Sequence, residues 1–371
     1  MEGVLRMRND RKQRASYVHR MICKLLLLTC MTCMLGACGK VDKKNSGVTD
    51  QEEKPIRIGM CFDSFVIERW QRDRDVFVSV AKEAGAEVNV QSANGEIEQQ
   101  KKQIEYFIEQ GMDVIVIICI DSQSLKESVK KAKAAGIKVI AYDRLIMNAD
   151  VDLYISFDNE MVGTMMAQSL VEKGLPNKKV LMLGGTLQDN NVPLVENAFR
   201  KVMEENQVEI LDSFHAEGWK AEEAAEYIFR NPSMAEKADA IMCGNDNLAS
   251  AVVRALAERR LAGVVSVVGQ DADLEACQRI VEGTQVMTVY KPVERLAKQA
   301  AECAIYLAKG LDLSEILGEG QVSTMDDGSY MVPYVNIAPI SVTRENIDEI
   351  IIGSGFHKKE DVYLNLPEDR K

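Results

Sequence analysis

DVIVIICIDSQSLKESVKKAKAAGIKVIAYDR, residues 113–144, holds a strand, a helix and a second strand in one run. Asp113–Ile118 is a continuous apolar, β-branched run with no polar alternation, the signature of a parallel strand buried on both faces. Ser124–Ala135 follows as an amphipathic helix, and Lys138–Tyr142 returns as a strand that runs straight into Asp143-Arg144. The same alternation extends in both directions. Ile56–Met60, Lys179–Leu183, Ala238–Cys243 and Val264–Val268 read as further strands. Glu96–Gln110, Glu160–Lys173 and Asn247–Arg259 read as helices between them. Strands alternating with helices predict parallel sheet, and there are more units than one small sheet holds. One barrel or two doubly wound lobes would satisfy the count.

Polar residues at the strand ends favour the lobes. Met60 leads to Asp63-Ser64, and Leu183 to Gly184-Gly185-Thr186. Cys243 leads to Gly244-Asn245-Asp246, and Val268 to Gly269-Gln270-Asp271. Open α/β sheets bind ligands beyond the carboxyl ends of their strands, so these clusters are expected to converge. Helix caps and turns alone favour Gly, Asn and Asp there. They do not call for Arg69, Arg144 or Lys291.

The chain has 371 residues, room for two or three domains; 46% are hydrophobic and 27% charged, which excludes disorder and collagen-like repeats. A formal charge of −12 argues against a nucleic-acid partner. Only His19, His215 and His357 supply imidazoles, too few for a multi-histidine metal site.

Residues 1–24 are basic, with Arg6, Arg8, Arg11, Lys12, Arg14, Arg20 and Lys24 against Glu2 and Asp10. The apolar run Leu25–Leu35 is too short to cross a bilayer, which takes ~20 residues, but suits a signal peptide. It ends in Leu35-Gly36-Ala37-Cys38, which resembles a bacterial lipobox and marks Cys38 for lipidation. Residues 1–37 are therefore expected to be a lipoprotein signal peptide and 38–54 a flexible polar tether. Of nine cysteines, Cys23, Cys30 and Cys33 leave with that signal. Cys61, Cys119, Cys243, Cys277 and Cys303 are odd in number and widely spaced. They read as core residues and not as a disulfide framework.

Residues 56–365 resemble bacterial periplasmic sugar-binding proteins of the ribose/galactose/xylose type, the type I periplasmic binding proteins. The resemblance rests on Glu68–Phe77 (ERWQRDRDVF), Val90–Gly95 (VQSANG), Ala141–Arg144 (AYDR), Tyr154–Glu160 (YISFDNE) and Asp189–Asn191 (DNN). It continues through Gly269–Asp273 (GQDAD), Met287–Pro292 (MTVYKP) and Gly355–Lys358 (GFHK). It implies two Rossmann-like lobes joined by a three-segment hinge, with a monosaccharide enclosed between them. The N-terminal lobe would be 55–158 plus 292–335, and the C-terminal lobe 159–291 plus 336–371. The family's sugar-contacting positions fall on Arg69, Asp143, Arg144, Asn191, Trp219, Asn245, Asp271 and Lys291. The sequence departs from the pattern at Asp63-Ser64-Phe65, which puts fine specificity at stake. D-xylose leads among the implied ligands, with glucose or another pyranose behind.

Those residue types suit a sugar. Asp, Asn and Arg groups bond vicinal hydroxyls in bidentate fashion, with the strength of charge-assisted bonds. An indole offers the ring a flat apolar face. Trp70, by contrast, is expected only to open an amphipathic helix. No HExxH, GxSxG or phosphate-binding GxxxxGK[ST] carries chemistry, and a lone histidine is expected to be structural or solvent-facing. Asp271-Ala-Asp273-Leu-Glu275 lacks the glycine and glutamate of a calcium loop, and Asp326-Asp327-Gly328 reads as a turn. The expectation is no catalysis, no cofactor and no metal. The chain would be a monomer outside the cytoplasm, tethered to the membrane through Cys38. Its partner would be an ABC importer permease or a membrane sensor kinase.

Overall fold

A computed structural model describes residues 54–367. The signal expected over 1–37, Cys38 and the tether up to residue 53 lie outside the described residues. Among the described residues, thirteen strands form two sheets. The first contains β1 (Arg57–Phe62), β2 (Glu87–Ser92), β3 (Val114–Ile117), β4 (Lys138–Tyr142) and β5 (Leu153–Phe157), with β11 (Ser323–Asp326) and β12 (Met331–Ile337). The second contains β6 (Lys179–Gly184), β7 (Glu209–His215), β8 (Ala240–Cys243), β9 (Ser266–Gln270), β10 (Met287–Tyr290) and β13 (Ile340–Val342).

Their spatial orders are β11-β12-β5-β4-β3-β1-β2 and β13-β10-β9-β8-β6-β7. Each sheet thus repeats one doubly wound order, the second strand at the edge and the first beside the third. All pairs are parallel except β11 with β12 and β10 with β13. Every side chain of β3 and β8 is buried, as expected of strands covered on both faces. Gly59 in β1 has a packing reason, because a Cβ there would stand 2.6 Å from the Phe107 ring.

The chain passes between the sheets three times, after β5, after β10 and between β12 and β13. These passages divide the fold into two α/β lobes joined by a three-segment hinge. The helix Asn159–Lys173 packs on the helix Asn191–Glu205 and on the second sheet, and the helix Val293–Ala308 packs on the helix Arg69–Glu83 and the first sheet.

The strand expected at Val264–Val268 runs two residues later, at Ser266–Gln270, because Ala262 to Val265 form a turn with a bridge of its own. Exposed Val264 sits in that turn, and Gly269-Gln270 becomes part of the strand. Cys61, Cys119, Cys243, Cys277 and Cys303 are all free and buried.

Candidate functional site

Between the carboxyl ends of the two sheets lies a small cavity lined by residues of both. Arg69, Asp143 and Arg144 reach it from loops and a helix following strands of the first sheet. Asn191, Trp219, Asn245 and Asp271 reach it from the second, and Lys291 from the passage after β10. All eight positions singled out in the sequence line this one cavity.

The local backbone explains how they get there. Asn245 caps the helix Asp246–Ala257 through its Oδ1, which accepts from Leu248 N at 2.9 Å, and this leaves its amide group to the cavity side. Three of the eight, Asp143, Trp219 and Asp271, hold positive φ angles of 64°, 60° and 97°. Such left-handed conformations cost non-glycine residues about 1–3 kcal/mol and persist where the surroundings enforce them. Gly185 makes room for Trp219, since a Cβ at Gly185 would stand 2.4 Å from the indole.

Charge in the cavity wall is paired. Arg69 reaches Asp143 at 2.9 Å and Asp73 at 3.1 Å. Arg144 reaches Asp63 at 2.9 Å and Asp189 at 2.7 Å, and Lys291 stands 3.4 Å from Asp271. The Arg69 guanidinium lies 4.4 Å from the Trp70 ring centre and 5.2 Å from that of Phe157, within cation–π range of both. Burial would lower the Arg69 guanidinium, but Asp143 and Asp73 hold it well above its ordinary value. Burial likewise pulls Asp143 up, and Arg69, Lys291 and Arg144 outweigh it, keeping the carboxyl below its usual range. Asp189 and Asp63 are raised by burial in spite of Arg144. Buried cations that already have carboxylate partners do not select an anion. They present fixed donors and acceptors to a neutral ligand rich in hydroxyls. Nε1 of Trp70, Nε1 of Trp219 and Oε1 of Gln270 are buried without hydrogen-bond partners, and all three residues line the cavity. Orphaned polar atoms of this kind are uncommon and call for a polar occupant.

Some of the wall was not foreseen. Trp70 does open its helix, but it is buried and lines the cavity, stacked against Arg69, so its expected role as a mere helix opener is corrected. The signal was its neighbour, because an arginine that must be buried needs an aromatic or acidic companion. Asp189 was read only as part of DNN and Gln270 only as part of GQDAD, and Glu196 was not singled out. Glu196 follows Val192 by four residues, about one helical turn, a spacing that places the two on the same face. Asn191 is also bound up locally: its Oδ1 accepts from Asn159 at 3.0 Å, and its amide donates to Asp143 O at 3.1 Å. The two described histidines stand outside the cavity lining. His215 Nε2 meets Glu196 Oε1 at 3.0 Å, and His357 Nε2 meets Ala272 O at 2.8 Å.

Two open α/β sheets that share a cavity with convergent polar side chains at their carboxyl ends define a hinged solute-binding protein. Residues 58–312 match the periplasmic binding protein domain, and the chain belongs to that family. It is 42% identical over 315 residues to the D-xylose-binding periplasmic protein of Escherichia coli (strain K12), covering 83% of this chain and 93% of that protein. It is 41% identical over 316 residues to the D-xylose-binding periplasmic protein of Haemophilus influenzae, covering 84% and 93%. An ABC transporter solute-binding protein from Clostridium phytofermentans with bound β-D-glucose superimposes with a TM-score of 0.74 at 28% identity. That match covers 82% of this chain and 99% of the other.

Proposed function

We propose that this protein binds a single monosaccharide, D-xylose, in the cavity between its lobes, closes around it and delivers it to an ABC importer. The observation that carries this reading is the convergence of Arg69, Asp143, Arg144, Asn191, Trp219, Asn245, Asp271 and Lys291 on one cavity. The names of the two relatives above 40% identity support xylose, and the glucose-bound structure keeps a hexose as the competitor. An enclosed pocket can exclude a hexose by the wall that its extra hydroxymethyl would meet.

The lobes proposed to close are 55–158 with 292–335, and 159–291 with 336–371. A ligand that bonds both lobes prefers the closed state by those differential contacts. The protein acts outside the cytoplasm as a non-enzymatic monomer, held to the membrane by lipid on Cys38. Exchanging Cys38 for Ala should release it from membranes, and its retention there would remove the anchor from the proposal.

Calorimetric titration of the purified protein with xylose, glucose, ribose, arabinose and galactose tests the ligand. One-to-one binding with xylose tightest is expected, and preference for glucose would reassign the specificity. Arg144→Ala and Trp219→Ala should each weaken that binding while the fold persists, and unchanged affinity in both would remove the site.

A further inference from the structure

Asp246 is wholly buried and does not line the cavity, yet it joins two elements that do. It follows Asn245 directly and opens the helix Asp246–Ala257. Its Oδ2 accepts from Thr288 Oγ1 at 2.6 Å and from Asp273 N at 3.2 Å, and its Oδ1 accepts from Gln285 Nε2 at 2.8 Å. Thr288 Oγ1 in turn accepts from Ala272 N at 3.1 Å. One carboxylate thus holds, directly or through one hydroxyl, two successive amides of the turn that follows Asp271. In that turn Asp271 and Ala272 both have positive φ, 97° and 55°, a pair of adjacent strained residues without a glycine. Gly269 lets the strand approach, since a Cβ there would stand 2.2 Å from Asp246 Oδ1.

We infer that Asp246 is a positioning residue for the ligand site: it locks the strained Asp271–Ala272 turn so that Asp271 faces the cavity beside Lys291. This rests on the sugar-binding reading above. The carboxylate form is needed, because both of its oxygens accept: Oδ2 from Thr288 and Asp273, and Oδ1 from Gln285. A protonated acid or an asparagine carries hydrogen on one of the two positions, which then meets either the Gln285 amide or the Thr288 and Asp273 donors. Burial first of all pushes Asp246 up, to about 7, with the Asp271 charge adding to it and Thr288, Arg279 and Gln285 opposing. The charged groups facing it are Arg279 from the helix Leu274–Glu282 and Asp271 and Asp273 from the turn, with the Cys243 thiol below it on β8. The turn is therefore firm above neutral pH and loosens below it.

Asp246→Asn tests the inference by calorimetry with D-xylose and D-glucose at pH 8 and 5.5, and by amide hydrogen exchange of the unliganded protein. The wild type should bind about tenfold more weakly at pH 5.5 than at pH 8. The variant should bind about tenfold more weakly than wild type at pH 8, with little change between the two pH values. Its Ala272 and Asp273 amides should exchange faster. Wild-type affinity and protection in a folded Asp246→Asn would overturn the inference, as would a wild-type affinity that is flat with pH. If that variant does not fold, Thr288→Val decides by the same two readouts. Wild type that binds neither sugar would count against the sugar reading, while faster exchange in the variant would still uphold the hold on the turn.

Discussion

Arg144 Nε stands 2.7 Å from Asp189 Oδ2, and the two residues follow strands of different sheets. Beside this pair, Leu145 N donates to Asn190 Oδ1 at 2.7 Å and Ser122 N donates to Gln188 O at 3.0 Å. Residues 188–190 are thereby fastened to the loops that follow β3 and β4. The protein's own bonds span the cleft, so the proposed closure would not depend on the ligand alone. A ligand then has less conformational work to do, and its contacts appear as affinity.

Asp189→Ala removes the ion pair from this fastening and leaves Arg144 with Asp63 as its carboxylate partner. Breaking a buried pair by removing one partner costs about 3–5 kcal/mol. A lower melting temperature, a larger radius of gyration without ligand and at least tenfold weaker sugar binding are expected. Scattering and calorimetry read these. An unchanged radius together with unchanged affinity would mean that the pair does not hold the lobes.

Gly185→Ala should reproduce the binding loss of Trp219→Ala from the opposite side, because the new methyl would occupy the space of the indole. Each single variant should weaken sugar binding about tenfold or more. The double variant should be no weaker than Trp219→Ala, since both act on one contact and such effects do not add. Additive losses in a titration series would show that Gly185 acts by another route.

Asp327 is buried in the turn between β11 and β12 and accepts four backbone amides. Oδ2 takes Ala149 and Asp150 at 2.9 Å, and Oδ1 takes Ser329 at 2.9 Å and Tyr330 at 2.7 Å. Burial pulls this carboxyl up, but the four amides outweigh it and hold it below its ordinary range. A carboxyl lowered in the folded state contributes stability that is present above its unfolded value and is lost as pH falls through the folded one. Asp327→Asn should therefore cost about 2 kcal/mol at pH 7, the scale of hydrogen bonds to a charged group. The difference in melting temperature should narrow as the pH approaches 3. A difference independent of pH would assign the loss to shape and not to charge.

The alternation of apolar runs with amphipathic stretches was enough for an α/β fold with parallel sheets, because strands buried on both faces leave no ambiguity of period, and the polar residues at the strand ends chose two lobes over one barrel. Lys138–Tyr142 was bounded to the residue, where Asp143-Arg144 ends it abruptly. Val264–Val268 was misplaced by two residues, because its first valines continue an apolar run into a turn and hydrophobicity alone does not mark that boundary. The eight cavity residues came from a family resemblance, and their common lining of one space is what the fold adds. What the sequence hid was which side chains those eight depend on. Trp70, Asp63 and Asp189 matter through the arginines they touch, and Asp246 through a turn some 25 residues on, contacts that no local pattern encodes.

The most direct measurement is the affinity of the purified protein for xylose and glucose, side by side, in wild type and Arg144→Ala. Tight one-to-one binding of xylose, weaker binding of glucose and loss of both in the variant is the predicted result. An absence of sugar binding in the wild type, or full affinity in the folded variant, would contradict a sugar site between these two sheets.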